Sequence, residues 1–285
     1  MEHTTKQLPV PGESGQWEHW SLWARQSLQP SSELELLRAT GQVTLFSELV
    51  DLIGVPQDPE WHPEGDVWIH TLHVCDMAAA VARRDQLDER ETVILLLAAL
   101  CHDFGKPATT EFRDGRWRAS GHPQAGVPLT RGFLQGIDCP ADIIAVVEPL
   151  VAEHLVHAQP ISNSRTVRRL IRRLRPATIP QLVRLIEADL RGRPPLPGHL
   201  PPGVTAILEQ WETLPAENDA AVELPTPIIQ GRHLIALGHQ PSPWFGEILK
   251  QCLESQICGE FEDEESAVDF LTGLLANDGV TSTEE

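Results

Sequence analysis

The segment Leu100-Cys101-His102-Asp103-Phe104-Gly105-Lys106-Pro107 sets an imidazole beside a carboxylate and follows them with a glycine and a cation. Imidazole nitrogens and carboxylate oxygens bind divalent metals. A lysine close by suits a phosphate group. Adjacent residues inside a helix diverge by about 100°, so this pair converges on one ion only where the helix ends. Gly105 permits the backbone to open there. The chemistry suggested is a metal site next to a phosphate-binding cation. A lone His-Asp pair is common, so the reading needs partners.

Those partners have to be delivered by other elements. The apolar run from Val93 to Leu100 is too long for an exposed helix face, so it predicts a buried helix that ends on the pair. Asp88 and Glu91 form a capping-box-like start for it. Asp66 caps a helix to about residue 84 that carries His70. Gly121-His122 opens a helix to about 136, and a further helix from about 140 to 157 contains Pro149 and His154. A helix over about 178–190 ends near Asp189. Packed side by side, these helices bring His70, His102, Asp103, His122, His154 and Asp189 to one end of a cavity. Four imidazoles and two carboxylates suit one or two ions of Mn, Fe, Co, Ni or Zn, whereas Mg prefers more oxygen.

Twelve histidines cannot all be ligands. His3, His19, His199, His233 and His239 read as surface or loop residues. His73 and His157 stand near His70 and His154 as supporting or merely packed neighbours. His62, between Trp61 and Pro63, is placed over the cavity mouth.

Composition narrows the class. The chain has 285 residues, is 41% hydrophobic and carries a formal charge of −19, with a pI near 5.0. Such acidity opposes general nucleic-acid binding, although a local basic patch escapes that argument. The cysteines at 75, 101, 139, 252 and 258 form no CxxC pair, which argues for reduced thiols rather than a disulfide framework. The polar N-terminus has no apolar signal core, and no apolar run approaches the ~20 residues of a membrane span. A soluble cytoplasmic protein is expected.

The remaining elements are mostly helical. Residues 1–15 read as a loose terminus, and Trp17, Trp20 and Trp23 recur at helical spacing on a docked helix. Helices over 31–40 and 43–53 precede a turn-rich connector from Pro56 to Gly65. Thr110 to Arg118 reads as a hairpin around Asp114-Gly115. A helix at 165–175 has an apolar stripe of Val167, Leu170, Ile171 and Leu174 opposite Arg168, Arg169, Arg172, Arg173 and Arg175. A Pro-rich linker reaches residue 203, followed by helices near 204–214, 243–257 and 264–276 and an acidic, disordered end.

The pattern of His70, the His102-Asp103 pair and distal Asp189 resembles the HD superfamily of metal-dependent phosphohydrolases. His122 and His154 match the two added histidines of its two-metal members. Leu52 to Leu72, Leu97 to Pro107, Glu187 to Pro194 and Gln230 to Gly238 are similar to the body and HD region of bacterial CCA-adding tRNA nucleotidyltransferases. The Gly-Ser loop and Asp-x-Asp pair of the nucleotidyltransferase head have no counterpart here, so nucleotide addition is not expected. The resemblance implies an all-α fold, an HD-domain helical bundle with one small β-hairpin and additional helices at both ends. Its implied domains are an N-terminal extension at 1–30, a helical HD phosphohydrolase domain at 31–200 and a C-terminal helical region with an acidic tail at 201–285. It implies hydrolysis of nucleotide or RNA-end phosphoesters, as a 2′,3′-cyclic phosphodiesterase, 2′-nucleotidase or phosphatase.

In that frame His70, His102, Asp103 and Asp189 hold one divalent metal ion, and Asp103 bridges to a second held by His122 and His154. Mn, Ni, Co, Fe and Mg are the candidate ions. His102, Asp103 and Lys106 are the catalytic candidates, and Lys106, Arg116 and Arg193 are the candidates for substrate phosphate contacts. Two alternatives stand beside this. One is a tRNA or RNA-end binding module with a structural metal, using Arg168, Arg169, Arg172 and Arg173. The other is a nucleoside mono- or triphosphate hydrolase.

Overall fold

Nine consecutive buried residues, Val93 to Cys101, run through the helix Glu89–Cys101, here α5. A helix that is apolar all round has to be enclosed by others. Four helices pack on it: α1 (Gln16–Gln26), α4 (Val67–Arg84), α8 (Ala141–Glu153) and α10 (Ile179–Arg191). Asp88 caps α5 by accepting from Glu91 N at 2.8 Å, and Asp66 caps α4 by accepting from Ile69 N at 2.9 Å. Thr178 and Gln181 form a capping box at the start of α10. These caps satisfy N–H groups that the helices leave without partners.

The computed structural model describes residues 15–158, 164–200, 204–205, 208, 226–257 and 260–277. The described residues are mostly helical, with one two-stranded sheet, as the sequence pattern predicts. That sheet is the antiparallel hairpin β1 (Thr110–Arg113) and β2 (Arg116–Ala119), in which Phe112 pairs with Trp117. The other elements before residue 160 are α2 (Pro30–Ala39), α3 (Ser47–Val50), α6 (Lys106–Thr109) and α7 (His122–Gly136). None of the described helices is long and apolar enough to cross a membrane.

One difference from the sequence pattern has a clear cause. Instead of a single helix over 43–53, the chain forms a 3₁₀ turn, Gln42–Leu45, and then one turn of α3. Phe46 between them is extended and buried, and its ring meets Trp20 and Phe133 edge-on at 5.3 and 5.8 Å. Burying this aromatic outweighs continuing the helix.

The chain divides into two compact units. One comprises Met1–Pro160 with Leu174–Thr213, and the other Ile161–Arg173 with Leu214–Glu285. Trp20 of α1 joins the aromatic core of the first unit through Phe46 and Phe133. Most of α9 (Ser164–Leu174) groups with the second unit, where Arg169 pairs with Glu260. That unit also contains α11 (Gly231–Ala236), α12 (Trp244–Ile257) and α13 (Glu264–Asn277), with Leu234, Phe245, Ile248 and Leu271 in its core. Most of the expected 204–214 helix, the acidic end from 278 and Cys258 lie outside the described residues.

Candidate metal centre

Five helices of the first unit deliver the six candidate ligands to one place. His70 comes from α4, the His102-Asp103 pair from the end of α5, His122 from the first residue of α7, His154 from the end of α8 and Asp189 from α10. All six are buried; His122, the most accessible, is 5% exposed.

Asp103 stands at the centre. Its Oδ2 lies 3.2 Å from His102 Nε2 and 3.9 Å from His70 Nε2, and its Oδ1 lies 3.1 Å from His122 Nε2 and 4.0 Å from His154 Nε2. Asp189 Oδ1 is 3.0 Å from His70 Nε2. Gly105 makes the close approach of α6 to α7 possible, since a Cβ there would sit 2.0 Å from the carbonyl oxygen of His122.

The other ring nitrogens are anchored, which fixes the tautomers. Nδ1 of His102, His122 and His154 meets the carbonyl oxygens of Ala99, Ala119 and Val151 at 2.8, 2.7 and 2.8 Å. A carbonyl only accepts, so each Nδ1 carries a proton, and in the neutral ring Nε2 is the nitrogen left to ligate. For His102 and His154 the accepting carbonyl belongs to the last turn of the preceding helix, where it has no helical partner. His70 is anchored differently. Its Nδ1 lies 2.8 Å from Oε1 of Glu64, which also meets His62 Nδ1 at 2.8 Å. The His62 ring stands edge-on to His70 at 4.5 Å.

Electrostatics keep the carboxylates charged. Burial opposes ionisation of Asp103, but His102 and Lys106 outweigh it and hold the carboxyl well below its ordinary range. Burial likewise opposes Asp189, which Arg193 and His70 hold well below the ordinary value. Glu64 is lowered to about 2 by its bonds to His62 and His70 against the effect of burial. Burial pushes His154 down to about 3, so it is neutral. For His102 the charge of Asp103 overcomes burial and raises the pKa.

His102 Nε2 and Asp103 Oδ2 are buried, and neither makes a hydrogen bond of good geometry. Leaving such a nitrogen unsatisfied costs about 1–3 kcal/mol, whereas Asp103 Oδ2 has the Lys106 ammonium 2.7 Å away. A divalent cation is the partner that satisfies a lone-pair nitrogen and a charged oxygen together. Groups able to hold an ion include His70, His102 and Asp103 on one side and Asp103, His122 and His154 on the other. The residues therefore fit one or two metal ions.

The site opens into a cavity of about 250 Å³ whose lining includes Asp103, Lys106, His122, His154, Asp189 and Arg193. Lys106 Nζ lies 2.7 Å from Asp103 Oδ2 and donates to Gln57 Oε1 at 2.7 Å. Arg193 Nη2 lies 3.4 Å from Asp189 Oδ1, and its Nε is buried without a partner. Arg116 is committed to Asp58 and Glu60 instead, and Arg118 lines the cavity. In β2 these two arginines share a face, and sequence alone offers no reason to prefer either. His62 lines the cavity; Nδ1 of His73 lies 3.2 Å from the Gly192 carbonyl and Nδ1 of His157 lies 3.1 Å from the His154 carbonyl. On α9, Arg169 is paired with Glu260, and the Arg168 side chain lies outside the described residues.

Glu64, Gln57 and Arg118 are the site residues that sequence reasoning passes over. The signal for Glu64 is His62-Pro63-Glu64 just before the cap of α4. A carboxylate in a connector follows no periodicity and is easily taken as solvated. Residues 67–188, from the start of α4 almost to the end of α10, match the model of the HD domain.

Proposed function

We propose that the chain is a metal-dependent phosphohydrolase acting on nucleotide or RNA-end phosphoesters, as a 2′,3′-cyclic phosphodiesterase, 2′-nucleotidase or phosphatase. The match to the HD domain supports metal-dependent phosphohydrolase chemistry in general. The observation that carries the reading is the buried His102 Nε2, without a hydrogen bond of good geometry and 3.2 Å from the Asp103 carboxylate, next to a cavity that Lys106 and Arg193 line.

In this reading His70, His102, Asp103 and Asp189 would hold one divalent ion, and Asp103, His122 and His154 would hold a second. Bound ions supply Lewis acidity and a water acidic enough to ionise near neutral pH. The chain's own groups do the rest. Asp103 stays ionised over the working pH range because His102 and Lys106 outweigh its burial. The carbonyls of Ala99, Ala119 and Val151 hold the three imidazoles in the ligating tautomer. Lys106, with Gln57 steadying its ammonium, meets one phosphoryl oxygen, and Arg193 meets another. Both cations stabilise the charge that grows on those oxygens as the ester is attacked.

The test is turnover by the purified chain of 2′,3′-cyclic AMP, adenosine 2′-monophosphate and a generic phosphomonoester with Mn, Ni, Co or Mg. Asp103→Ala is run beside it, with metal content measured. Turnover that needs metal and is lost in the variant is the expected result. No turnover with any of these ions, in protein shown to carry metal, refutes the reading.

A further inference from the structure

The cavity wall changes character between its floor and its mouth. Asp103 and Asp189 are buried at the floor, whereas Trp61 and Trp117, also lining the cavity, are 55% and 36% exposed. Large aromatic faces left in water in a cavity that also carries Lys106 and Arg193 favour a ligand that covers them.

Both rings sit on anchored backbone. Trp61 lies in a turn closed by Trp61 N and His62 N donating to Asp58 O at 3.1 and 2.8 Å. Strand alternation puts Thr110, Phe112, Trp117 and Ala119 on one face of the hairpin, and three of these four line the cavity. Phe112 braces Trp117 edge-on at 5.1 Å. Arg116 ties the two segments together, reaching Asp58 at 2.6 and 3.2 Å and Glu60 at 2.5 Å. The two tryptophans are thus carried on segments held to each other by ion pairs.

We propose that Trp61 and Trp117 form a subsite for the nucleobase of the substrate, whose phosphate lies below against Lys106 and Arg193. The inference rests on the phosphohydrolase reading for the placement of the phosphate. The arrangement suits a ligand that is anionic at one end and flat and aromatic at the other. Every base has a π-face, so a stacking subsite tolerates all four bases. The cavity, at about 250 Å³, is near the lower end of ligand sites, which span about 300–1,000 Å³. It accepts one terminal nucleotide rather than a length of chain.

The test uses the full chain with Mn added and compares binding of adenosine 2′-monophosphate with binding of inorganic phosphate by equilibrium dialysis. Base–aromatic stacking is worth about 5- to 150-fold in affinity. Trp61→Ala and Trp117→Ala are expected to reduce the nucleotide-to-phosphate affinity ratio by an amount in that range, and Trp61→Phe and Trp117→Phe to restore most of it. A ratio unchanged in both alanine variants overturns the subsite. So does a fall in phosphate affinity that matches the fall for nucleotide. Turnover of the same nucleotide is followed in parallel. Base-dependent binding without turnover refutes the hydrolase reading and leaves the subsite standing, while turnover with an insensitive ratio refutes the subsite alone.

Discussion

The two oxygens of Asp103 look onto unlike surroundings. On the Oδ2 side stand His102, His70 and Lys106, with Asp189 against His70 Nε2 and Glu64 against its Nδ1. On the Oδ1 side stand His122 and His154, whose Nε2 atoms are 3.2 Å apart. Both of these rings spend their Nδ1 proton on a carbonyl, so two lone pairs face each other across that gap. They repel unless positive charge lies between them. One side is therefore a carboxylate-rich seat, and the other is a pair of imidazoles sharing a single carboxylate. Ligand charge raises cation affinity, and a smaller protein ligand set leaves coordination positions free for substrate. If both sides hold ions, the difference predicts tighter holding on the Oδ2 side and an accessible, weaker seat on the Oδ1 side.

Four measurements can break or sharpen that contrast. The largest effect is expected from Asp103→Ala, which removes the only ligand common to both sides. Metal analysis after dialysis should find both seats empty, and turnover should fall by more than the roughly 100-fold that supporting residues command. Full metal content in this variant would mean that no carboxylate is shared. Next, His154→Ala should lose the weakly held equivalent and keep the tight one, while Asp189→Ala should lose the tight one. Equal losses in the two variants would merge the two sides into one site. A smaller effect is expected from Glu64→Gln, which keeps the shape but removes the charge behind His70. Metal titration should show about 10- to 100-fold weaker binding at the tight seat, with stoichiometry retained. An equal weakening at both seats would contradict the placement of Glu64 behind one of them.

The smallest effect concerns protons alone. In chelated protein, NMR titration should show His102 gaining its proton above the ordinary pH of about 6.5, because the Asp103 charge overcomes burial. His154 should remain neutral until about pH 3. Falling pH therefore charges His102 before His154, and the reverse order would break the contrast.

The six candidate ligands are legible in the sequence because they are polar residues at the ends of apolar helices. Val93 to Cys101 has no polar position to spare, so His102 and Asp103 stand out. The supporting carboxylate Glu64 does not, since its connector is full of polar residues and only the fold shows that its Oε1 meets two imidazoles. The hairpin was legible from Asp114-Gly115, but the separate duties of Arg116 and Arg118 depend on where Asp58 and Glu60 sit. The break at Phe46 was hidden for a similar reason. Local propensity over 43–53 favours a helix, and the cause of the break is a contact with Trp20 and Phe133, far away in sequence. The arginines of α9 look like a free basic face in the sequence, yet Arg169 is already paired with Glu260.

His70 and Asp189 are 119 residues apart. The unfolded chain cannot present them together, so an ion held by both would favour the folded state over the unfolded one. By mass action it stabilises that state by about 2.7 kcal/mol when the free ion is at one hundred times its Kd. The balance between intact and unfolded chain is thereby tied to how much metal its surroundings supply. A shortage of the ion would lower the amount of surviving protein as well as its rate of turnover.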